Sequence, residues 1–524
     1  MEKTPGIIVT MLMALFLVPV FSTCDFFEVS LVDYLQEGEN RPPNGEEDTD
    51  PWVYVAVNSG NDANAGLSSG EPVKSLGRAL DIRAGGGSAE VRIMLTEDIA
   101  VSSGYSDPEA LTGAGLIDFS TNLLTPASRA GITAITLAGS GSGKTIDNKA
   151  DGSRPVLYIN TANKVITLKN LTIKGGRGDH GAGIHVGAGA ALIMGNDVVI
   201  AGNGASVEGG GVYVDGVGSK FTMTGGEIRG NEAVSVALGK GGGVCVGTNG
   251  TFIMKGGTIS ANESGRDGGG VYVGTGGTFT MEGGTVKGNR SGIEGGGVYI
   301  SGAGSKARIL NGGIGGPAAD DGNRAKYGAG VYVGVGGGLE LGAAGADRAY
   351  PAIQRNVSSG GGSPGSTGGG IIIDGSGAEA IFHHGTVHNN NGATMGGGIL
   401  VVNGKLDMRG GTVTGNTANA GPGIAVGNDG SLYMSGGARV LDPANPVHLY
   451  GTSPKRWITI GNGGFTGTLA PKGIAIVTTN GPYGSGTTVL KREGGGSVAA
   501  WCDYFNVDGK GFGSSIDANG EIKP

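Results

Sequence analysis

The chain is poor in the features that announce a globular enzyme or a disulfide-built secreted domain. Only three of its 524 residues are cysteine, too few for a disulfide framework, and the two in the body, Cys245 and Cys502, are expected as free thiols because many coils separate them. Charged residues make up 16 %, and the net charge is −8 with no Lys/Arg-rich stretch. That excludes the basic footprint that follows a phosphate backbone, and nucleic acid with it. The apolar stretch Ile7 to Val20 is too short to cross a bilayer as a permanent helix. No interval of helical period separates the repeats described below, which excludes leucine-rich and helical solenoids.

What the chain has instead is glycine. Its 113 glycines are about three times the usual share of ~7 %. They follow no three-residue period, which rules out collagen, and they punctuate apolar alternation rather than replace it, which rules out simple disorder. Nine copies of one phrase read Gly, small residue, Gly, Val/Ile, variable, Val/Ile. Their third glycines are Gly183, Gly211, Gly243, Gly270, Gly297, Gly330, Gly370, Gly398 and Gly423, spaced by 28, 32, 27, 27, 33, 40, 28 and 25 residues. A second phrase follows in most copies, as in Phe221-Thr222-Met223 and Phe279-Thr280-Met281. A third, Gly-Gly-x-Ile/Val-x-x-Asn, runs from Gly225 to Asn231, Gly256 to Asn262, Gly283 to Asn289 and Gly410 to Asn416.

Period-two alternation with glycine corners and ~27 residues per turn predicts an all-β, right-handed parallel β-helix with three short strands per coil. Val212, Val214, Phe221, Met223 and Ile228 are the expected interior of one coil, with Tyr213, Thr222, Glu227 and Arg229 outside. Asn203, Asn231, Asn262, Asn289, Asn323, Asn356, Asn390 and Asn416 each precede the next triple-glycine phrase. Stacked at equivalent corners, their amides are predicted to form an internal ladder.

Residues 52–84 give a strand, a turn and a segment opening with Pro72, in which Val73, Leu76 and Leu80 share one helical face. This passage resembles the opening of pectin-lyase-like right-handed β-helix proteins, in which a strand and a short helix plug the first coil. The glycine and asparagine phrases over 176–441 resemble the repeats of polymorphic outer-membrane proteins, which are surface β-helices and often adhesins. Those proteins close with a membrane barrel, and only some 80 residues follow the repeats in this chain.

The expected organisation is an export signal at 1–23, an acidic tether at 24–50, an N-terminal strand/helix cap and first coils at 51–175, the nine-repeat stack at 176–441, and terminal coils with a cap at 442–524, about twelve coils in all. Lys3, the apolar stretch and Phe21-Ser22-Thr23-Cys24 have the layout of an export signal. The passage resembles a bacterial lipoprotein signal, which implies lipidation at Cys24; Phe21 stands where that family prefers Leu, and simple secretion is the alternative. The tether, EGENRPPNGEEDTD from Glu37 to Asp50, is apolar-free and solvated. The expected location is the outer membrane or cell surface through the lipid anchor, with a periplasmic or secreted protein as alternatives.

Candidate chemistry is sparse. AGSGSGKT, Ala138 to Thr145, meets the loose phosphate-loop pattern, but the residues after it are turn formers rather than a helix, so a corner between strands is expected. Asp179-His180 and Asp320-Asp321 with Arg324 and Lys326 are fragments similar to polygalacturonase motifs, yet about five coils part the histidine from the aspartates. His383, His384 and His388 form the densest histidine cluster, without an evident third metal ligand. No catalytic residue, metal site or cofactor is assigned. Tyr213, Tyr272, Tyr299 and Tyr332, with His185 below, fall between two buried aliphatics and predict an outward stripe, serving either recognition or plain ladder packing. Two insertions, Arg308 to Tyr327 and Leu341 to Thr367, mark where a site is to be sought.

The expected function is an adhesin-like binding or structural module whose partners are glycans, extracellular matrix or another surface protein. The alternative is a polysaccharide lyase or glycoside hydrolase. Two or three acids and a basic residue on neighbouring coils would distinguish the latter.

Overall fold

In this computed structural model residues 52–100, 116–441 and 447–465 are described, with breaks at 88, 120–122, 125, 150–153, 346–349, 361–366 and 451–456. Beyond them come 475–479, 490–498 apart from 496, 505–507, 515–516, 518–519 and 522–523. Met1–Thr49 is a unit of its own and Asp50–Pro524 a second. The export signal, Cys24 and the acidic tether, together with Cys502 and much of 442–524, lie outside the described residues.

The second unit is an all-β parallel β-solenoid of about 11 turns with 4 % helix, consistent with a right-handed parallel β-helix. One coil shows how the phrases make it. The apolar alternation of the first phrase forms the strand Val212–Val214, the second Lys220–Met223 and the third Glu227–Arg229. A fourth strand, Glu232–Ala233, follows the asparagine corner and was not anticipated from the phrases. Each strand pairs in parallel with its equivalents in the coils before and after: Val212 faces Ile184 and Val244, and Phe221 faces Leu192 and Phe252. The first and second strands build a 26-stranded sheet, the third a 12-stranded sheet and the fourth a 7-stranded one. In the later coils the ladder runs on through the corner between first and second strands, with breaks of register there, giving single strands Ile371–Phe382, Ile399–Met408 and Ile424–Gly436.

The five residues predicted to fill the coil are all fully enclosed. Phe221, Phe252 and Phe279 stack with ring centroids 4.8 and 5.0 Å apart, nearly parallel. The asparagine ladder is also present. Asn289 donates from Nδ2 to the Ile259 carbonyl at 2.9 Å and to Asn323 Oδ1 at 3.0 Å, while its own Oδ1 accepts from the backbone N–H and Nδ2 of Asn262. The bond to the next amide repeats from Asn203 to Asn416.

Two glycines of each phrase have distinct physical reasons. Gly268, the first, has φ of +67°, a conformation that side chains disfavour. At Gly270, the third, a Cβ would stand 2.6 Å from the Gly297 carbonyl oxygen and 3.0 Å from Asn289 Nδ2, so only glycine lets the corner pack against the amide ladder.

The first coil is plugged by a strand and helix, with one difference from expectation. Pro72 and Val73 precede the helix. Asp62 Oδ1 accepts from the N–H groups of Lys74 and Ser75, both at 2.8 Å, and Val73 bridges Val55 as extended chain. The helix begins at Leu76 and runs Leu76–Gly85, with Ser75 as its cap accepting from the Arg78 N–H. The glycine-rich Ala138 to Thr145 segment is a corner between strands Ala134–Gly139 and Lys144–Asp147. Without a helix to follow, it lacks the N-terminal amides that a phosphate loop uses.

Candidate functional site

The predicted tyrosine positions do form one column. Register pairs join His185 to Tyr213, Tyr213 to Cys245, Cys245 to Tyr272, Tyr272 to Tyr299 and Tyr299 to Tyr332. The column continues as Ile372, Leu400 and Ala425. Tyr272 and Tyr299 stack at 5.2 Å and Tyr299 and Tyr332 at 5.4 Å, with interplanar angles of 15° and 17°. The rings therefore cover one another's faces and present edges and hydroxyls. They are sunk as well: Tyr213, Tyr272 and Tyr299 are half-buried and Tyr332 is only 8 % exposed. Desolvation drives all four phenols upward in pKa, so they hold their protons.

A second column, absent from the sequence reading, runs beside the first. The residue ahead of each triple-glycine phrase is bridged in parallel to its neighbour: Glu208 to Lys240, Lys240 to Asp267, Asp267 to Glu294 and Glu294 to Tyr327. The left-handed glycine that follows turns each of these residues back alongside the first strand. Its Cβ position at Gly268 and Gly295 lies within 3 Å of the Cβ atoms of Tyr272 and Tyr299. The signal was there to find, as a charged residue three positions before the third glycine in four successive copies. Tyr327, where the first insertion ends, lies on this column, and Thr367, where the second ends, is the equivalent residue of the next phrase.

The two columns interact. Lys240 Nζ lies 3.0 Å from Glu208 Oε1 and 5.2 Å from the Tyr272 ring centroid, so its stem crosses the rung where Cys245 leaves a gap in the aromatic ladder. Arg266 Nε is 3.1 Å from Asp267 Oδ2, while Asp267 Oδ1 is enclosed with no hydrogen-bonding partner. Burial pushes Asp267 up to about 6 despite Arg266 and Lys240. Burial, then the neighbouring Asp267 charge, pushes Glu294 up to about 7. The Tyr332 hydroxyl stands between Glu294 and Asp374, 3.4 Å from Asp374 Oδ2, and burial raises the Asp374 carboxyl also.

The remaining candidates resolve into local structure. His383 Nε2 is 3.5 Å from Glu340, whereas His384 Nε2 meets the Ala343 backbone, so these histidines turn to different partners. Among the described residues no group of three or more His, Cys, Asp or Glu side chains is arranged to hold a metal ion. Asp321 pairs with Lys287 at 2.9 Å, and that hydrogen bond holds its carboxyl below the usual range. Asp179 and His180 lie in the strand Arg177–His180, with His180 Nδ1 3.3 Å from Glu208. Cys245 is a free, fully enclosed thiol that burial keeps protonated. No helix among the described residues is long and apolar enough to cross a membrane.

No family model, no curated protein and no solved structure matches the chain. The parallel β-helix is thus shown by its own geometry, and neither pectin-lyase-like proteins nor polymorphic outer-membrane proteins are established as its family.

Proposed function

We propose that this chain is an exported, lipid-anchored, adhesin-like module that binds a glycan along the paired columns of its first-strand face. The observation that carries the reading is the registry of the two columns. In the successive coils of Tyr272 and Tyr299 a tyrosine edge and hydroxyl lies beside a carboxyl, Asp267 in one and Glu294 in the next, and the coil spacing of ~4.8 Å is close to the length of one pyranose unit. Such a face offers a linear polysaccharide repeated hydrogen-bonding groups and apolar ring edges, the mixture that saccharides require. Cys24 is the attachment point in this reading, and matrix components or another surface protein are the other partners it allows.

The test is binding of the whole protein to arrayed glycans and matrix proteins, with Tyr299→Ser beside it. Selective glycan binding weakened by that substitution supports the reading, and failure across the panel leaves only a scaffold. Mass spectrometry of the mature N-terminus decides the anchor. A second reading, a polysaccharide lyase or glycoside hydrolase, is favoured by Asp267, Glu294 and Asp374 with Arg266 close by, the combination of acids and a base that would mark an enzyme. Release of reducing or unsaturated sugar is its assay.

A further inference from the structure

One corner of the stack departs from the glycine pattern. Between the second and third strands the regular copies read Gly225-Gly226, Gly256-Gly257 and Gly283-Gly284, and the next copy reads Asn311-Gly312. The backbone requires the second glycine of the pair: φ is +89° at Gly284 and +91° at Gly312, and a Cβ at Gly312 would stand 2.4 Å from the Gly284 carbonyl oxygen. The fold thus fixes an asparagine ahead of a residue with no side chain to shield its nitrogen. Asn311 is exposed, and Oδ1 of its carboxamide accepts from the Gly312 N–H at 2.8 Å.

The other asparagine–glycine pairs among the described residues commit that nitrogen elsewhere. Gly204 donates to the Gly176 carbonyl at 3.0 Å and Gly392 to the Thr417 carbonyl at 2.9 Å, and Asn203 is itself enclosed in the amide ladder. Gly250, after Asn249, turns to the Gly247 carbonyl at 3.4 Å. Asn403-Gly404 and Asn462-Gly463 lie inside the strands Ile399–Met408 and Ile458–Phe465. At Asn311 the glycine nitrogen instead faces the asparagine side chain, while the peptides on either side stay tied to the preceding coil. The Asn311 N–H donates to the Met281 carbonyl and the Gly313 N–H to the Gly284 carbonyl.

We propose that Asn311 is a site of spontaneous deamidation. Gly312 N loses its proton to a solvent base and attacks Asn311 Cγ; the new N–Cγ bond closes a succinimide ring, the Cγ–Nδ2 bond breaks and ammonia leaves. Water then opens the ring at either carbonyl, giving aspartate or isoaspartate, so the sum is asparagine and water to acid and ammonia. Neither an enzyme nor a redox partner is needed. The held contact supplies the proximity that ring closure otherwise has to find by chance. The product carries one more negative charge. In the isoaspartyl form the main chain is also one carbon longer, at a corner whose length the register fixes, since Gly313 pairs with Thr285 and Ala352.

The experiment ages the full chain, folded and in urea, in water enriched in heavy oxygen, and follows each asparagine peptide by mass spectrometry. In the folded chain the Asn311 peptide should take up one labelled oxygen about tenfold faster than the peptides of Asn203 and Asn391. The rate should be higher at about pH 8 than at about pH 6, because the attacking nitrogen must first lose its proton. In urea the three sites should react at similar rates, which shows that the fold and not the sequence sets their order. A folded chain in which Asn311 stays intact while the unfolded chain loses it overturns the assignment. So does a folded chain in which Asn203 or Asn391 keeps pace with Asn311.

Discussion

At the scale of single residues the fold is held by amides as much as by apolar side chains. The Asn289 side chain makes four ladder contacts, all between 2.9 and 3.0 Å, and is fully enclosed. Asn289→Ala takes the acceptor from the Asn262 backbone N–H and from one Nδ2 hydrogen, and a donor from the Ile259 carbonyl, in a dry interior, while Asn323 Oδ1 keeps the backbone N–H of residue 289. At ~1–3 kcal/mol for each group so stranded, the loss should be on the order of 3 kcal/mol. Denaturant unfolding measures it, and an unchanged midpoint would remove the ladder from the account of stability. The ladder was legible in sequence because an asparagine recurs at one turn of every coil, and the five-residue interior of a coil because strand alternation leaves no second solution. The sunken state of the tyrosines was not legible. Alternation shows that Tyr272 leaves the interior, but what covers it outside is Lys240, a side chain from the preceding coil.

At the scale of the element, the column Glu208, Lys240, Asp267, Glu294 was missed because a charged residue ahead of glycine ordinarily reads as a solvated turn. Its enclosure depends on a backbone conformation, the left-handed glycine of Gly268 and Gly295, that folds the turn over the tyrosines. The first insertion, from Arg308 to Tyr327, begins after the four charged residues of the column, so it did not single them out. The column makes stability depend on pH in a defined direction. Folded Asp267 and Glu294 titrate at about 6 and about 7, whereas unfolded carboxyls titrate near 4. Between those values the folded chain holds more protons than the unfolded one, so this contribution is full below about pH 4 and is lost as pH rises to about 7. The thermal midpoint of the native protein should therefore exceed that of Asp267→Asn/Glu294→Gln by more at about pH 5 than at about pH 8. A difference that does not change with pH would show that these carboxyls ionise as freely as exposed ones.

For the β-helix unit as a whole the critical point is its beginning. Every inner coil satisfies its strands on both sides, but the first has a neighbour on one side only, and an open parallel edge over an apolar floor invites pairing with another chain. The strand Val53–Val55 forms that first rung, paired on one side to Ile93, Met94 and Leu95 and bonded on the other by Gly66 and Val73, whose segment covers the edge. The helix Leu76–Gly85 caps the apolar floor beneath them with Leu76, Ala79 and Leu80, all fully enclosed. An ion pair of 2.7 Å between Asp81 and the nearly buried Arg129 fastens the helix to the chain near the second coil. Leu80→Asp puts an unpaired charge into this contact, and the cost of enclosing it exceeds what one turn of helix packing returns. The helix should lift while the later coils, held by their own ladders, stay paired. The expected outcome is a protein with native β-type circular dichroism that associates with rising concentration in light scattering. A Leu80→Asp protein that stays monomeric with its native melting midpoint would mean that the helix is not the plug, and that the first rung is protected by other means.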